Sequence, residues 1–211
     1  MIKNKQDYKY YLEADRIALR REHFSSLRQK LITRFIEPDY VWDFQKLLRK
    51  VEYLTNKKRT IFDTINRVIQ YRKFSKLSLK LGFQIHPNCF GPGLRIVHPG
   101  NIIVNGGARI GANCVMFNDV VIGFERNYMD GDPPKIGDNV YFGPGVKIFG
   151  PITIADNIAI GANAIVNKSF TEPGITIAGI PAKKVSDNGS GRLVIKATEL
   201  VDINNYSVKN D

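Results

Sequence analysis

The chain has 211 residues, of which 43% are hydrophobic and 24% charged, with 18 glycines; these are the proportions of a folded chain, not of a disordered or collagen-like one. No run reaches the ~20 apolar residues that cross a bilayer, and MIKNKQDYKYYLEADR is charged from its first turns, without the apolar core of a secretory leader. Two cysteines, Cys89 and Cys114, form no CxxC pair, so neither a zinc site nor a disulfide scaffold is expected, and the chain reads as cytoplasmic and metal-free.

The net charge of +11 is unevenly placed. Residues 1–80 hold 20 Lys and Arg against 9 Asp and Glu, and the remainder is balanced. In chain order, a mixed helical pattern runs from about Asp7 to Ile36 and stops before Pro38, because a proline disfavours helix in the residue preceding it. Asp39 can cap a second helix with Val41, Phe44, Leu47, Leu48, Val51 and Leu54 on one face. Thr60 and Asp63 mark the start of a third, whose stripe runs Ile61, Ile65, Val68, Ile69, Phe74, Leu77 and Leu81. The cations Lys57, Lys58, Arg59, Arg72, Lys73, Lys76 and Lys80 lie between or opposite these stripes. They read either as a solvated face or as an attraction to an anionic surface, a membrane or an acidic glycan. No nucleic-acid recognition motif and no interleaved stacking aromatics accompany them, so nucleic acid is not an expected partner.

After residue 97 the period changes to six. His98, Val104, Ile110, Met116 and Ile122 form one series; Ile136, Phe142, Ile148, Ile154, Ile160 and Val166 form the next. The slots four residues later hold small or aliphatic side chains, Cys114 among them. Turn-tolerant residues such as Gly111, Gly137, Gly143 and Gly161 follow the bulky position. A period of six fits neither a helix nor an amphipathic strand. It fits short strands joined by turns, three to a coil, stacking like on like. The expected fold is mainly β, a parallel β-helix of hexapeptide repeats over 83–186, preceded by a basic α-helical region (1–82) and followed by a polar tail (187–211) with a short strand-like LVIKA. Ile136 follows Ile122 by fourteen positions where one hexad takes six, so an excursion loop at 124–135 leaves the solenoid, and such loops favour substrate contacts.

His98 stands in this series where the other slots hold large apolar residues. Packing gives no reason for an imidazole there, and the ring suits a general base near neutral pH. His86, in a turn-like QIHPN, reads as structural, and His23 has no visible partner.

The runs GPGLRIVHPGNIIVNGGARIGANC, PKIGDNVYFGPGVKIFGPITIADNIAIGANAIVNKSF and PGITIAGIPAKKV resemble the serine acetyltransferase branch of the hexapeptide-repeat acyltransferases over roughly residues 83–186. The resemblance implies a left-handed β-helix, a homotrimer with active sites between subunits, acetyl-CoA as donor, and no metal. Helical N-terminal regions pair such trimers into hexamers. His98 then matches the catalytic histidine that deprotonates an acceptor hydroxyl for direct attack on the thioester, with backbone N–H groups of the turns as oxyanion donors. Gly143 and Ala162 match a pantetheine groove, with Pro144 standing where alanine is usual; Ala178 and Gly179 match the segment closing over CoA, and Lys183 and Lys184 its phosphate contacts.

The departures bear on the acceptor. Serine acetyltransferases carry an acid where this chain has Val97, an aspartate at Gln84, and an arginine and a second histidine at Asp132 and Pro133. Those groups hold the charges of serine and orient the histidine, and a buried charge without partners is unfavourable. YYLEADRIAL, RKFSKLSLKLGF and FGPGLRIVHPG resemble a subgroup associated with capsule, exopolysaccharide or lipopolysaccharide assembly. The expectation drawn is therefore O-acetylation of a sugar hydroxyl of a surface glycan, with Asn101, Asn118, Glu125 and Asp130 as acceptor contacts and the basic helices touching the inner membrane face. Serine O-acetylation, amino-sugar N-acetylation and a non-catalytic trimeric scaffold are the alternatives.

Overall fold

A computed structural model describes residues 1–20, 38–57, 61–123 and 133–202. Helix α1 (Lys5–Ala18) begins earlier than the sequence pattern suggests, because Asn4 caps it: its side chain accepts from the Asp7 backbone N–H at 2.8 Å, and Asp7 returns a bond to the Asn4 N–H. The helix ends at Ala18, with Arg20 already at φ 56°; the rest of the expected first helix, including His23, lies outside the described residues. Helix α2 (Tyr40–Asn56) starts as expected at Asp39, whose carboxylate accepts from Trp42 N at 3.1 Å. Its apolar stripe buries Phe44, Leu48, Val51 and Leu54.

Helix α3 (Ile61–Leu81) departs from expectation. Only its second half is core: Phe74 stacks on Phe44 at 5.3 Å, and Phe44 meets Phe83 edge-on at 4.9 Å. Ile65, Val68 and Ile69 of the same stripe are about half exposed (56%, 49% and 47%), and Phe62 more so, because the first half of the helix projects beyond the solenoid end against which the second half packs. Thr60, Lys58 and Arg59 lie outside the described residues; Lys57 is held by Asp63 at 2.6 Å.

Fourteen short strands follow among the described residues. β1 (Phe83–Ile85), β3 (Ile102–Val104), β6 (Val120–Gly123), β9 (Lys147–Phe149) and β12 (Ile165–Val166) form one parallel sheet. β4 (Arg109–Ile110), β7 (Lys135–Ile136) and β10 (Thr153–Ile154) form a second. β2 (Arg95–Ile96), β5 (Val115–Met116), β8 (Tyr141–Phe142), β11 (Ala159–Ile160) and β13 (Thr176–Gly179) form the third, closed by β14 (Ala182–Ser186) running antiparallel to β13. Each coil visits the three sheets in turn, which is the left-handed β-helix shared with its structural neighbours. The interior is a stack of like residues, such as Ile96, Met116, Phe142, Ile160 and Ile177 in adjacent register. Two turn chemistries allow so tight a stack. The left-handed turn position is held by asparagines, with Asn113, Asn139 and Asn157 at φ 56–60° and their amides laddered at 3.0 Å. Beside them Gly111 packs so closely that a Cβ would fall 2.6 Å from the Gly137 carbonyl.

The helices cap the open end of the solenoid. Strand β2 is the edge of its sheet, and the Gln45 side chain bonds it as a neighbouring strand would, donating to Leu94 O (2.7 Å) and accepting from Ile96 N (3.2 Å). Arg49, fully buried, donates to both oxygens of Asp15 (2.8 and 3.2 Å), to Glu52 (3.0 Å), and to the carbonyls of Phe90 (3.0 Å) and Gly91 (2.7 Å). Asp15 also accepts from Gly93 N and Leu94 N, both at 2.9 Å. Burial pushes the Asp15 and Glu52 carboxyls up against the pull of Arg49, whose own proton the two acids hold more tightly than usual. The C-terminal tail is not a strand at LVIKA. It runs back along the asparagine corner, with Ser190 N on Asn157 O (3.0 Å) and Thr198 N on Asn113 Oδ1 (3.0 Å), and its helix α4 (Ala197–Leu200) packs against α1.

Candidate active site

The structure corrects the argument that singled out His98. The stack residue of its coil is Ile96, fully buried and paired with Met116; His98 lies two positions further on and is exposed. Ile102 pairs with Val120, so the chain takes six residues from Ile96 to Ile102 where the next coil takes four from Met116 to Val120. The two extra residues make the corner of Val97, His98, Pro99 and Gly100 bulge outward. The imidazole is there because the corner is longer, not because the core tolerates it. Its ring meets Phe117 edge-on at 5.8 Å, and Phe117 meets Tyr141 at 5.5 Å. Among the described residues, no hydrogen bond to the ring is present.

The same corner gathers most of the residues expected to serve a donor. Val97 N bonds Met116 O, Phe117 N bonds Phe142 O, Gly143 N bonds Ile160 O, and Gly161 N bonds Ile177 O. Val97, Phe117, Gly143, Gly161 and Ala178 therefore share one column along the prism edge, and His98, Asn118, Pro144, Ala162 and Gly179 follow them in the next. Above Phe117 the edge carries nothing larger than proline. Pro144, Ala162 and Gly179 are exposed, and Gly161 leaves only 2.9 Å between a would-be Cβ and that of Ala178. The edge is thus a track of small residues leading along the solenoid to the corner that carries His98.

Asn118 belongs to the corner directly: its Cβ lies 3.1 Å from where a side chain on Gly100 would begin. Asn101 is exposed three residues past His98, against Gly82. Glu125 and Asp130 lie outside the described residues. Lys183 is exposed and registers opposite Ala178 in the closing hairpin. Lys184 is different: Glu172 and Asp187 each hold its ammonium at 2.6 Å and raise its affinity for the proton, so it is already neutralised. His86 is exposed, with its ring beside Gly106. Cys89 and Cys114 are buried, and burial pushes their thiols up to about 11 and about 12.

Two cavities border the helical cap. The larger, about 500 Å³, lies on the β4–β7–β10 face between Tyr11, Arg109, Lys135 and Asp156 and does not include His98. The smaller, about 370 Å³, opens between the helical cap and β2, with Asp39, Tyr40 and Leu81 on one side and Arg95, Val97 and Pro99 on the other, and does not include His98 either. Sequence reading passed over Arg95 and the buried Gln45–Arg49–Glu52 set. Polar residues interrupting the stripe of α2 at helical spacing were the available signal for the latter. Among the described residues, no cluster of His, Cys, Asp and Glu could hold a metal ion, and no helix is long and apolar enough to cross a membrane.

A capped left-handed hexapeptide β-helix with a histidine on a bulged corner, at the foot of a track of small residues, defines the class. Known proteins narrow it. No family model matches the chain. Serine acetyltransferase of Staphylococcus xylosus is 36% identical over 109 residues, which are 51% of this chain and 50% of that protein; that of Staphylococcus epidermidis is 34% identical over 125 residues, 58% of each. The chain thus spans about half the length of the curated relatives it matches. Soybean serine acetyltransferase, solved in complex with serine, superposes with a TM-score of 0.65 at 24% identity, covering 85% of this chain and 70% of that one. The enzyme of Brucella abortus, solved with coenzyme A, gives 0.67 at 24%, covering 88% and 70%. The protein has the fold of these serine acetyltransferases, and about half of the chain resembles such enzymes in sequence.

Proposed function

We propose that the protein is an acetyl-CoA-dependent O-acetyltransferase whose acceptor is the hydroxyl of serine. The sugar acceptor expected from the sequence is withdrawn. The relatives reported above are serine acetyltransferases, and none of them lends support to a glycan subgroup or to polysaccharide assembly. Contact of the basic helices with an anionic membrane gains no support from these relatives either.

The observation that carries the reading is the placement of His98 at the end of the bare corner track. Gly143, Pro144, Ala162, Ala178 and Gly179 line the path of the donor's pantetheine arm, and Lys183, not Lys184, meets its phosphates. Acetyl-CoA supplies an activated acyl group, so no covalent enzyme intermediate is needed. His98 accepts the proton of the serine hydroxyl as the oxygen bonds to the acetyl carbon, and returns it to the departing CoA sulfur; the products are O-acetylserine and CoA. Phe117 limits where the imidazole can swing. The exposed corner implies completion by a neighbouring subunit, and a homotrimer is proposed on that ground. The half-exposed Ile65, Val68 and Ile69 of α3 favour pairing of two trimers through their helices.

The test is thiol release from acetyl-CoA with serine as acceptor. His98→Ala is expected to lower turnover about 10²–10⁴-fold and leave CoA affinity nearly unchanged. Near-normal turnover in that variant would remove His98 from the chemistry.

A further inference from the structure

The track of small residues ends on a single large side chain, Phe117. Strand register sets the order of the column. Val115 pairs with Tyr141 and Met116 with Phe142, which puts Phe117 beside Gly143. Phe142 pairs with Ile160 and Ile160 with Ile177, which carries the column on through Gly161 to Ala178. Neighbouring positions in such a column are about 4.8 Å apart. From Ala178 to Gly143 the column presents no side chain larger than a methyl group. Gly143 has no room for one, since a Cβ there would lie 2.8 Å from Ala162 N and 2.9 Å from Ile160 O. Phe117 comes next, half-buried, and Val97 follows only beyond it, through the pairing of Ile96 with Met116. The Phe117 ring is held from two sides: His98 meets it at 5.8 Å and Tyr141 at 5.5 Å, both edge-on. A ring in edge-on contact with two others loses both contacts if it turns aside. Because the imidazole and the Phe117 ring touch, a group brought along the track to His98 also comes against Phe117. An acetyl group ends there. Each further methylene has to displace the ring, and close-packed sites resist added methylenes.

We propose that Phe117, braced by Tyr141, limits the acyl group of the donor to two carbons. The proposal rests on the O-acetyltransferase reading above and adds the residue that sets which thioester is used.

The experiment uses full-length wild type, Phe117→Ala, Phe117→Leu and Tyr141→Ala. Calorimetry without acceptor measures the affinities for CoA, acetyl-CoA and butyryl-CoA. Thiol release with serine measures kcat/KM for acetyl-, propionyl- and butyryl-CoA. One methylene in a fitted apolar pocket changes kcat/KM about 10–200-fold, so wild type is expected to favour acetyl-CoA over propionyl-CoA by about 10-fold or more. Wild type should also bind butyryl-CoA more weakly than CoA itself. Phe117→Ala should lower the acetyl preference about 10-fold and bind butyryl-CoA as tightly as acetyl-CoA. Phe117→Leu and Tyr141→Ala should each move the preference part of the way. The preference is a ratio, so a loss of turnover from a freer imidazole does not change it; a merely structural role would lower turnover with all three thioesters alike. CoA carries no acyl group, and equal CoA affinity in all four proteins establishes that the variants are folded. Should Phe117→Ala fail to bind CoA, the other two variants carry the same comparison. Equal use of the three thioesters by wild type, butyryl-CoA bound by wild type as tightly as acetyl-CoA, or an acetyl preference unchanged by the Phe117 substitutions would each overturn the proposal. Phe117-dependent discrimination of acyl chains in binding, without turnover, would leave the chain-length limit standing and remove the transferase reading. Serine turnover with a chain preference that ignores Phe117 would do the reverse.

Discussion

Removing the Arg49 side chain should detach the helical cap from the solenoid. Arg49, Asp15 and Glu52 have side chains 0%, 0% and 2% exposed, so Arg49→Met leaves two acids buried without their counter-ion and the carbonyls of Phe90 and Gly91 without a donor. Losing one partner of a buried ion pair costs about 3–5 kcal/mol, and each stranded carbonyl adds about 1 kcal/mol. The backbone N–H groups on Asp15 and Glu52 remain and keep the total near the lower end, about 5–6 kcal/mol, a large share of the ~5–15 kcal/mol that holds a domain together. For a chain of this length that is a fall in Tm of about 10–20 °C, read by circular dichroism at fixed protein concentration. The deficit should also depend on pH. Without Arg49 the two carboxyls keep the upward push of burial and lose the downward pull of the guanidinium. A carboxyl whose folded pKa exceeds its unfolded one destabilises as pH rises, so the deficit grows from pH 5 to pH 8. Replacing all three together (Asp15→Asn, Arg49→Met, Glu52→Gln) removes the unpaired charge and should recover about half the loss. A single variant melting within about 2 °C of wild type would refute the reasoning.

Lys183→Ala should weaken CoA more than dephospho-CoA, and Lys184→Ala should affect neither, because Glu172 and Asp187 already occupy that ammonium; equilibrium binding of the two ligands checks this, and equal losses for both variants would contradict it. Cys89 and Cys114 should resist iodoacetamide at pH 8 in the native protein and react once it is unfolded, since thiols pushed to about 11 and about 12 leave at most about one molecule in a thousand as thiolate; mass spectrometry with and without denaturant reads the difference. Light scattering should give the mass of a hexamer for wild type and of a trimer for Ile65→Glu with Val68→Glu, and a variant mass unchanged from wild type would rule out pairing through α3.

The local code of the solenoid was legible in the chain itself. A six-residue recurrence of Ile, Val, Met and Phe can be satisfied only by coils that stack like on like, and the runs of glycine and asparagine after each slot are the turns such coils need. Asp39 announced α2 because an acid before an apolar helical stripe has one common use. Position along the corner was another matter. The hexad count placed His98 in the core, and only the pairing of Ile96 with Met116 and of Ile102 with Val120 shows the two extra residues that lift it onto the edge. A periodicity counted in residues cannot register an insertion at its first repeat, where no earlier coil fixes the phase. The stripe of α3 looked continuous for a similar reason: amphipathic spacing tells which side chains share a face, but whether anything covers that face depends on where the solenoid ends. Lys184 held by Glu172, and Arg49 held by Asp15, join residues that local sequence does not bring together. The charge of each was readable in the sequence; its partner was decided by tertiary packing alone.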